Sequence, residues 1–307
     1  MIRAAIQYLP SAQNDATRLA SRLRIPVHEI AVHHFPDGEL RVTAGPAAAT
    51  TIIYSSLDQP NEKLIAILFA AEALRRNGAT RLVLLAPYLC YMRQDTAFHE
   101  GEAISQKVIG HLLADAVDRI VTIDPHLHRT ASIKDVFPGI EAEALSAMPA
   151  IANYLRAGKL DPRTIVVGPD AESLPWVRDL AGRLGADFAV ARKTRRGDRS
   201  VAIVLEDEKI FAGRPALLVD DIVSSGGTLI ACAKALASAG CTSIDAVVTH
   251  ALFSAEMVGE FVRAGIRTIH STHSVPHPTN AILLDDTLVT ALANETDVAA
   301  SPQAATS

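Results

Sequence analysis

The sequence predicts an α/β protein of two doubly wound domains, each a mostly parallel sheet flanked by helices. Three observations carry that expectation. Apolar, β-rich runs alternate with helical patterns at a spacing of roughly 30 residues, the mark of βαβ units. Apolar residues make up 49% of the chain but aromatics only 5%, an Ala, Val, Leu and Ile mix that suits strands covered on both faces. The alternation also runs twice along 307 residues, enough for two domains of about 150.

The first pass reads "TTIIYSSL", then the helical "NEKLIAILFAAEALRRNGA", "RLVLLAPYL", the helical "AISQKVIGHLLADA" and "RIVTID". The second reads "TIVVGPD", "LPWVRDLAGRLGA", "DFAVARK", "PALLVDD", "GGTLIACAKALASAG", "SIDAVVTH", "MVGEFVRAGI" and "TIHST". Helical stretches end in Asn-Gly, Leu-Gly or Ala-Gly, as C-caps do. The pattern places one domain at 1–145 and a second at 146–285. A C-terminal segment, 286–307, returns to the first domain and frays at its small, polar end.

Composition excludes several classes. A net charge of −5 argues against a general nucleic-acid binder. No apolar stretch reaches the roughly 18–20 residues of a membrane span, and the start lacks the layout of a signal peptide. Three cysteines at 90, 232 and 241 match neither a disulfide framework nor a zinc site, so a reducing cytoplasm is expected.

In such sheets ligands bind beyond the C-terminal ends of the strands. Several of those ends carry acids or histidines. The most informative is "LLVDDIVSSGGTLI", residues 217–230. An apolar strand delivers Asp220 and Asp221 at its end, and a helix starts from about Leu229. Between them Gly226 and Gly227 permit a tight turn and close approach of backbone N–H groups. With the hydroxyls of Ser224, Ser225 and Thr228 and the helix N-terminus, those groups form a phosphate nest. Carboxylates beside a phosphate nest make sense around a phosphorylated sugar: the loop takes the phosphate, and the acids take ribose hydroxyls or Mg²⁺.

The stretch resembles the 5-phosphoribosyl 1-pyrophosphate (PRPP) loop shared by phosphoribosyltransferases and PRPP synthetases, the ribose-phosphate pyrophosphokinases. Further segments resemble the synthetases alone: "FPDGELRV" (35–42), "PYLCYMRQDTAFHEGEAIS" (87–105), "TIDPH" (122–126), "GPD" (168–170) and "ARKTRRGDRSVAIVL" (191–205). The "F-x-x-G-E-A-I-S" ending and "D-P-H" are nearer the archaeal-type enzymes. The resemblance spans roughly residues 30–290, with its motifs in family order.

That resemblance implies two phosphoribosyltransferase-like domains, the first serving ATP and the second ribose 5-phosphate. It implies a ribose-phosphate diphosphokinase that moves the β,γ-diphosphoryl group of ATP to the anomeric hydroxyl of ribose 5-phosphate, giving PRPP and AMP. Phe35 stacks on adenine, and Asp37 and Glu39 accept from its amine or orient the loop; in the family this segment comes from a neighbouring subunit. Arg93 and Gln94 contact ATP, with Asp95 and His99 nearby. His126 is a Mg²⁺ or ATP-phosphate contact, and Asp170 binds Mg²⁺ or positions the pyrophosphate. Lys193 and Arg195 stabilise the transferring group as part of a basic loop that closes over the phosphates. Asp220, Asp221, Ser224, Ser225, Gly226, Gly227 and Thr228 bind ribose 5-phosphate. Mg²⁺ is the implied cofactor and a homo-oligomer built from dimers the implied form, with neither nucleic acid nor membrane as partner. Glu172 and Ser173 depart from the family, which often has Gly or Lys there. A phosphoribosyltransferase consuming PRPP would not need the ATP-side segments, and a non-catalytic regulatory relative would keep the fold without turnover. "HSTHSVPH", with histidines at 270, 273 and 277, offers no fourth ligand, so a metal site is not expected there.

Overall fold

The alternating runs form two six-stranded sheets with the same strand order. The computed structural model describes residues 3–196, 200–205 and 207–296, with the backbone alone for 193–196 and 200–202. One unit is built from the chain up to Thr122, from Thr130–Glu143, and from the stretch that begins at Asp285. The other comprises Ile123–Arg129 and Ala144–Leu284.

The first unit opens with β1 (Ala4–Tyr8), buried along its whole length. Helix α1 (Gln13–Leu23) buries Ala16, Leu19, Ala20 and Leu23, the i, i+3, i+4, i+7 stripe of an amphipathic helix. It stops at Arg24, whose φ is 56°. Next come β2 (Val27–Glu29) and an antiparallel hairpin of β3 (Ala31–His34) and β4 (Leu40–Thr43). After β5 (Thr50–Tyr54), α2 (Pro60–Arg76) starts on a proline and buries Leu64, Ile67, Ala70, Ala71 and Leu74. Each fully buried Leu or Ile contributes roughly 1.5–3 kcal/mol. Then follow β6 (Arg81–Ala86), α3 (Ser105–Ala114), β7 (Arg119–Ile123), the single turn α4 (Ile133–Val136) and β8 (Glu141–Leu145). A Cβ on Gly110 would stand 2.1 Å from the carbonyl oxygen of Val136, so only glycine lets α3 approach α4 this closely. The sheet order is β2-β1-β5-β6-β7-β8.

The second unit repeats the scheme. It runs through α5 (Met148–Ala157), β9 (Ile165–Gly168), α6 (Leu174–Leu184) and β10 (Phe188–Val190). A hairpin of β11 (Arg192–Arg196) and β12 (Ser200–Val204) comes next. β13 (Pro215–Val223), α7 (Gly227–Ser238), β14 (Ser243–Ala251), α8 (Met257–Arg263), β15 (Ile266–Thr272) and β16 (Asn280–Ile282) complete it. The order β10-β9-β13-β14-β15-β16 matches the first sheet position by position, and every registered pair is parallel. Each unit inserts a two-stranded hairpin between its second and third sheet strands.

Two local expectations change. Residues 191–205, read as a basic loop, form the β11–β12 hairpin; the apolar run Val201–Val204 pairs with the cationic strand. And β13 does not end before its acids. Asp220 pairs with Val248, and the strand continues to Val223 opposite Ala251, so both carboxylates project from the sheet itself. The helix after it starts at Gly227.

Helix α9 (Asp285–Leu292) belongs to the first unit. Arg18 Nε donates to Asp285 Oδ2 at 2.5 Å. Beyond α9, Glu295 accepts from Nε and Nη2 of Arg81, each at 2.8 Å, and from Arg119 at 2.8 Å. Burial works to raise the Glu295 carboxyl, but those two guanidiniums outweigh it and hold it below the usual range. The expected fraying of the tail concerns 297–307, outside the described residues.

Candidate active site

The acids of the second unit gather at the β9–β13 junction, where the strand order reverses. Asp170 follows β9 directly. Its Oδ1 accepts from the backbone N–H of Glu172 at 3.1 Å, capping the 3-10 turn Ala171–Ser173 that leads into α6. Asp220 and Asp221 project from the neighbouring β13. Burial pushes the Asp220 carboxyl well above the carboxylate range, and the charges of Asp221 and then Asp170 push it the same way.

His126 joins this group. Its Nδ1–H donates to Asp221 Oδ2 at 2.8 Å, which turns Nε2 toward Glu172, 3.7 Å away. His128 Nε2 lies 3.6 Å from the other oxygen of the same carboxylate. Glu172 therefore stands at ion-pair distance from both histidines, an arrangement that no motif spacing announced.

The loop at 224–228 joins β13 to α7. Gly226 caps α7 with φ at 71°, a left-handed conformation that side chains resist. A Cβ there would also lie 2.6 Å from Cε1 of Phe261 on α8, so the ring forms the floor of the loop. The first intrahelical bond of α7 runs from Ile230 N–H to Gly226 O. The N–H groups of Gly227, Thr228 and Leu229 thus have no acceptor within the helix. With exposed Ser224 and Ser225 beside them, they form an anion cradle at the positive end of a helix.

Behind the acids lies a buried polar network missed from sequence. Asp124 (φ 33°) accepts from Ala147 N–H at 3.1 Å and Thr249 Oγ1 at 3.0 Å. Burial lifts its carboxyl to about 6 against those bonds. His250, fully enclosed, donates from Nε2 to the carbonyl of Ile123 at 3.0 Å and bonds Ser274 Oγ through Nδ1 at 2.8 Å. Burial pushes its pKa down to about 4 from an ordinary 6.5. The unfolded chain thus takes up this proton near pH 6.5 and the folded one only near 4, so acid favours unfolding between them. Asp124 acts oppositely: the folded chain binds its proton first, near 6 rather than 3.8, and gains stability as pH falls. Comparing the parent with His250→Asn isolates the histidine. The parent's stability advantage in urea is expected to shrink by about 2 kcal/mol between pH 7 and pH 5; a constant advantage would mean that His250 titrates normally.

In the first unit the residues expected to serve ATP form two groups. Phe35, Asp37 and Glu39 occupy the β3–β4 turn, all exposed. Phe35 N–H donates to Glu39 O at 2.9 Å, and Glu39 N–H to Asp37 Oδ1 at 3.2 Å. Arg41 lies 5.9 Å from the centroid of the Phe35 ring. Beside the turn is a cavity of about 470 Å³ bordered by Glu39, Leu40, Ile65 and Phe69. Arg93, Gln94 and Asp95 precede α3, with Arg93 exposed. Buried Gln106 ties this segment to the helix: its backbone N–H donates to Gln94 O and its Nε2 to Met92 O. Ser105 Oγ donates to Gln94 Oε1 at 2.8 Å. His99 sits farther along and meets Glu102 at 2.7 Å. Lys193 and Arg195 lie on β11 opposite Ile203 and Val201, but their side chains are outside the described residues.

The histidines of 270–277 do not converge. His277 bonds Phe253 O, His273 Nδ1 accepts from Leu284 N–H, and His270 packs on Tyr154. Among the described residues no three His, Cys, Asp or Glu side chains are grouped to hold a metal unaided.

Sequence profiles match both halves. Residues 5–116 match the N-terminal domain of ribose phosphate pyrophosphokinase, and 134–272 match the phosphoribosyl transferase domain. A ribose-phosphate pyrophosphokinase of Methanopyrus kandleri is 30% identical over 263 residues, covering 85% of this chain and 89% of that one. The chain belongs to the ribose-phosphate pyrophosphokinase family. Another member, from Brucella melitensis, is 32% identical over 273 residues, 87% of this chain and 86% of its own. The fold is that of phosphoribosylpyrophosphate synthetase from Mycobacterium smegmatis, with a TM-score of 0.81 at 23% identity over 95% of this chain and 98% of that one. The two profile matches together reach into both units. No helix among the described residues is long and apolar enough to cross a membrane.

Proposed function

We propose that this chain is a working ribose-phosphate diphosphokinase, converting ribose 5-phosphate and ATP into PRPP and AMP. The observation that carries the reading is the junction of two buried-strand carboxylates with the glycine-capped anion cradle. The spacing suits a sugar phosphate: the cradle at 224–228 takes the 5-phosphate while Asp220 and Asp221 accept from ribose hydroxyls. Residues 146–285 then form the ribose half and 1–145 the ATP half. There Arg93 offers a forked cation to the triphosphate, Gln94, Asp95 and His99 border it, and Phe35, Asp37 and Glu39 hold adenine.

Mg²⁺ suits the donors present. Asp170, Asp220 and Asp221 supply hard oxygen atoms whose mutual repulsion a cation would relieve, and His126 adjoins them. Mg²⁺ is usually held by one or two carboxylates plus substrate oxygens, as expected where no complete protein cage exists. When bound it offsets the charge of the phosphates. His126 and Asp170 are the residues we assign to holding it or the phosphates. The anomeric hydroxyl attacks the β-phosphorus and AMP leaves. Lys193 and Arg195 neutralise charge on the transferring group, and closure of their hairpin excludes water.

We place the enzyme in the cytoplasm as an oligomer built from dimers, in which the exposed 35–39 turn serves a neighbouring copy. Purified protein of oligomeric mass is expected to release AMP from ATP only when ribose 5-phosphate and Mg²⁺ are both present. No release above background would sink the assignment. Lys193→Ala should lower kcat by about 10²-fold or more, in the range seen for a lost charge-stabilising donor, with KM for ribose 5-phosphate little changed. Parental turnover in that variant would remove the hairpin from the chemistry.

A further inference from the structure

The segment between β6 and α3 that carries Arg93 and Gln94 is a run of turns and bends. Bonds from outside it must therefore fix its course, and two sets of them do. On one side the β5–α2 connection grips its start. Leu57 N–H donates to Tyr88 O at 2.9 Å, and the Tyr91 hydroxyl donates to Asn61 Oδ1 on α2. Tyr91 holds a φ of 61°, which a residue with a side chain keeps only when its surroundings impose it. On the other side stands Gln106, in the first turn of α3 and only 4% exposed. Its backbone N–H donates to Gln94 O at 3.2 Å, and its Nε2 donates to Met92 O at 3.3 Å. Arg93 thus springs from between two carbonyls that one residue holds. The far end of the same amide is engaged too: Oε1 accepts from Thr130 Oγ1 at 2.9 Å.

We propose that Gln106 is a positioning residue for the nucleotide: it sets where Arg93 and Gln94 meet ATP. A primary amide donates from one atom and accepts at the other, as the Met92 carbonyl and the Thr130 hydroxyl require. A carboxylate in its place would set an acceptor against the Met92 carbonyl. An alkyl chain would leave both partners without the bond they make now, and a buried polar group left unpaired is costly.

This rests on the reading that the segment serves ATP, and one arm of the test needs no turnover. Gln106→Leu and Gln106→Glu should each raise KM for ATP by at least about tenfold, within the range for leaving a buried polar group unpaired, with KM for ribose 5-phosphate held within about twofold. A fold that was merely weakened would lose active molecules, and so kcat, with both KM values unmoved. Thr130→Val removes one hydroxyl and should raise KM for ATP by about threefold. Adding it to Gln106→Leu should change little, because both act through one amide. The independent arm is calorimetric titration, with Mg²⁺ present, of the α,β-methylene analogue of ATP, whose α–β link cannot be cleaved. Its Kd should rise by the same factor in the Gln106 variants even if AMP is never released. That result in a protein without turnover would keep the positioning role and remove the reaction. Parental KM for ATP and parental analogue affinity in folded Gln106→Leu would overturn the proposal. So would equal losses for both substrates, or additive losses in the double variant. If neither Gln106 variant folds, Thr130→Val decides by the same two readings.

Discussion

Asp221→Ala is expected to reduce turnover by on the order of 10²–10³-fold, the range for loss of one group that stabilises developing charge. Two losses coincide in this variant. The carboxylate vanishes from the sugar and cation side, and His126 Nδ1 loses the partner that sets its direction at 2.8 Å. Asp220→Asn should do less harm. Asp220 Oδ1 accepts from the backbone N–H of Asp221 at 3.1 Å, a bond that an amide oxygen also makes, and no histidine depends on it for direction. Measuring kcat and KM at saturating Mg²⁺ for both variants checks the order. An Asp221→Ala enzyme within tenfold of the parent, or an Asp220→Asn enzyme that is the worse of the two, would reverse the roles given to these neighbours.

Gly226→Ala is expected to raise KM for ribose 5-phosphate by at least about tenfold and to lower the thermal midpoint. The left-handed backbone costs an L-residue roughly 1–2 kcal/mol. The added methyl would also lie 2.6 and 2.8 Å from two carbons of the Phe261 ring, so the loop or α8 must move. Either shift moves the N–H groups of Gly227 and Thr228 away from the phosphate. Phe261→Leu in the Gly226→Ala background should recover part of the affinity, because it relieves the contact but not the φ. A parental KM in Gly226→Ala would mean that the 5-phosphate binds elsewhere.

Sheet, helix and motif were legible in the sequence for separate reasons. Strands buried on both faces must be continuously apolar, so "LVLLA" and "ALLV" identified themselves. "SSGGT" stood out because a phosphate loop needs glycine where φ turns positive. The β11 strand was hidden: "RKTRR" has no apolar alternation, and only its partner "VAIV" makes it a strand. The length of β13 was hidden because two acids ordinarily end a buried run; here a neighbouring strand continues past them, through the pairing of Ile222 with His250. Glu172 could be noticed as a departure, but its closeness to two histidines depends on a turn that no spacing specifies. Asp124 and His250 were visible at strand ends, while their partners, at 147, 249 and 274, are scattered along the chain and meet only once it has folded.

Helix α9 and Glu295 have a consequence for how the chain matures on the ribosome. Arg81 and Arg119 are made first, and the carboxylate they share comes 214 and 176 residues later. The second unit, 123–129 and 144–284, is fully synthesised before that acid emerges. The half begun first is thus the half finished last: Arg81 and Arg119 have Glu141 and Glu143 beside them before the acid they share is made.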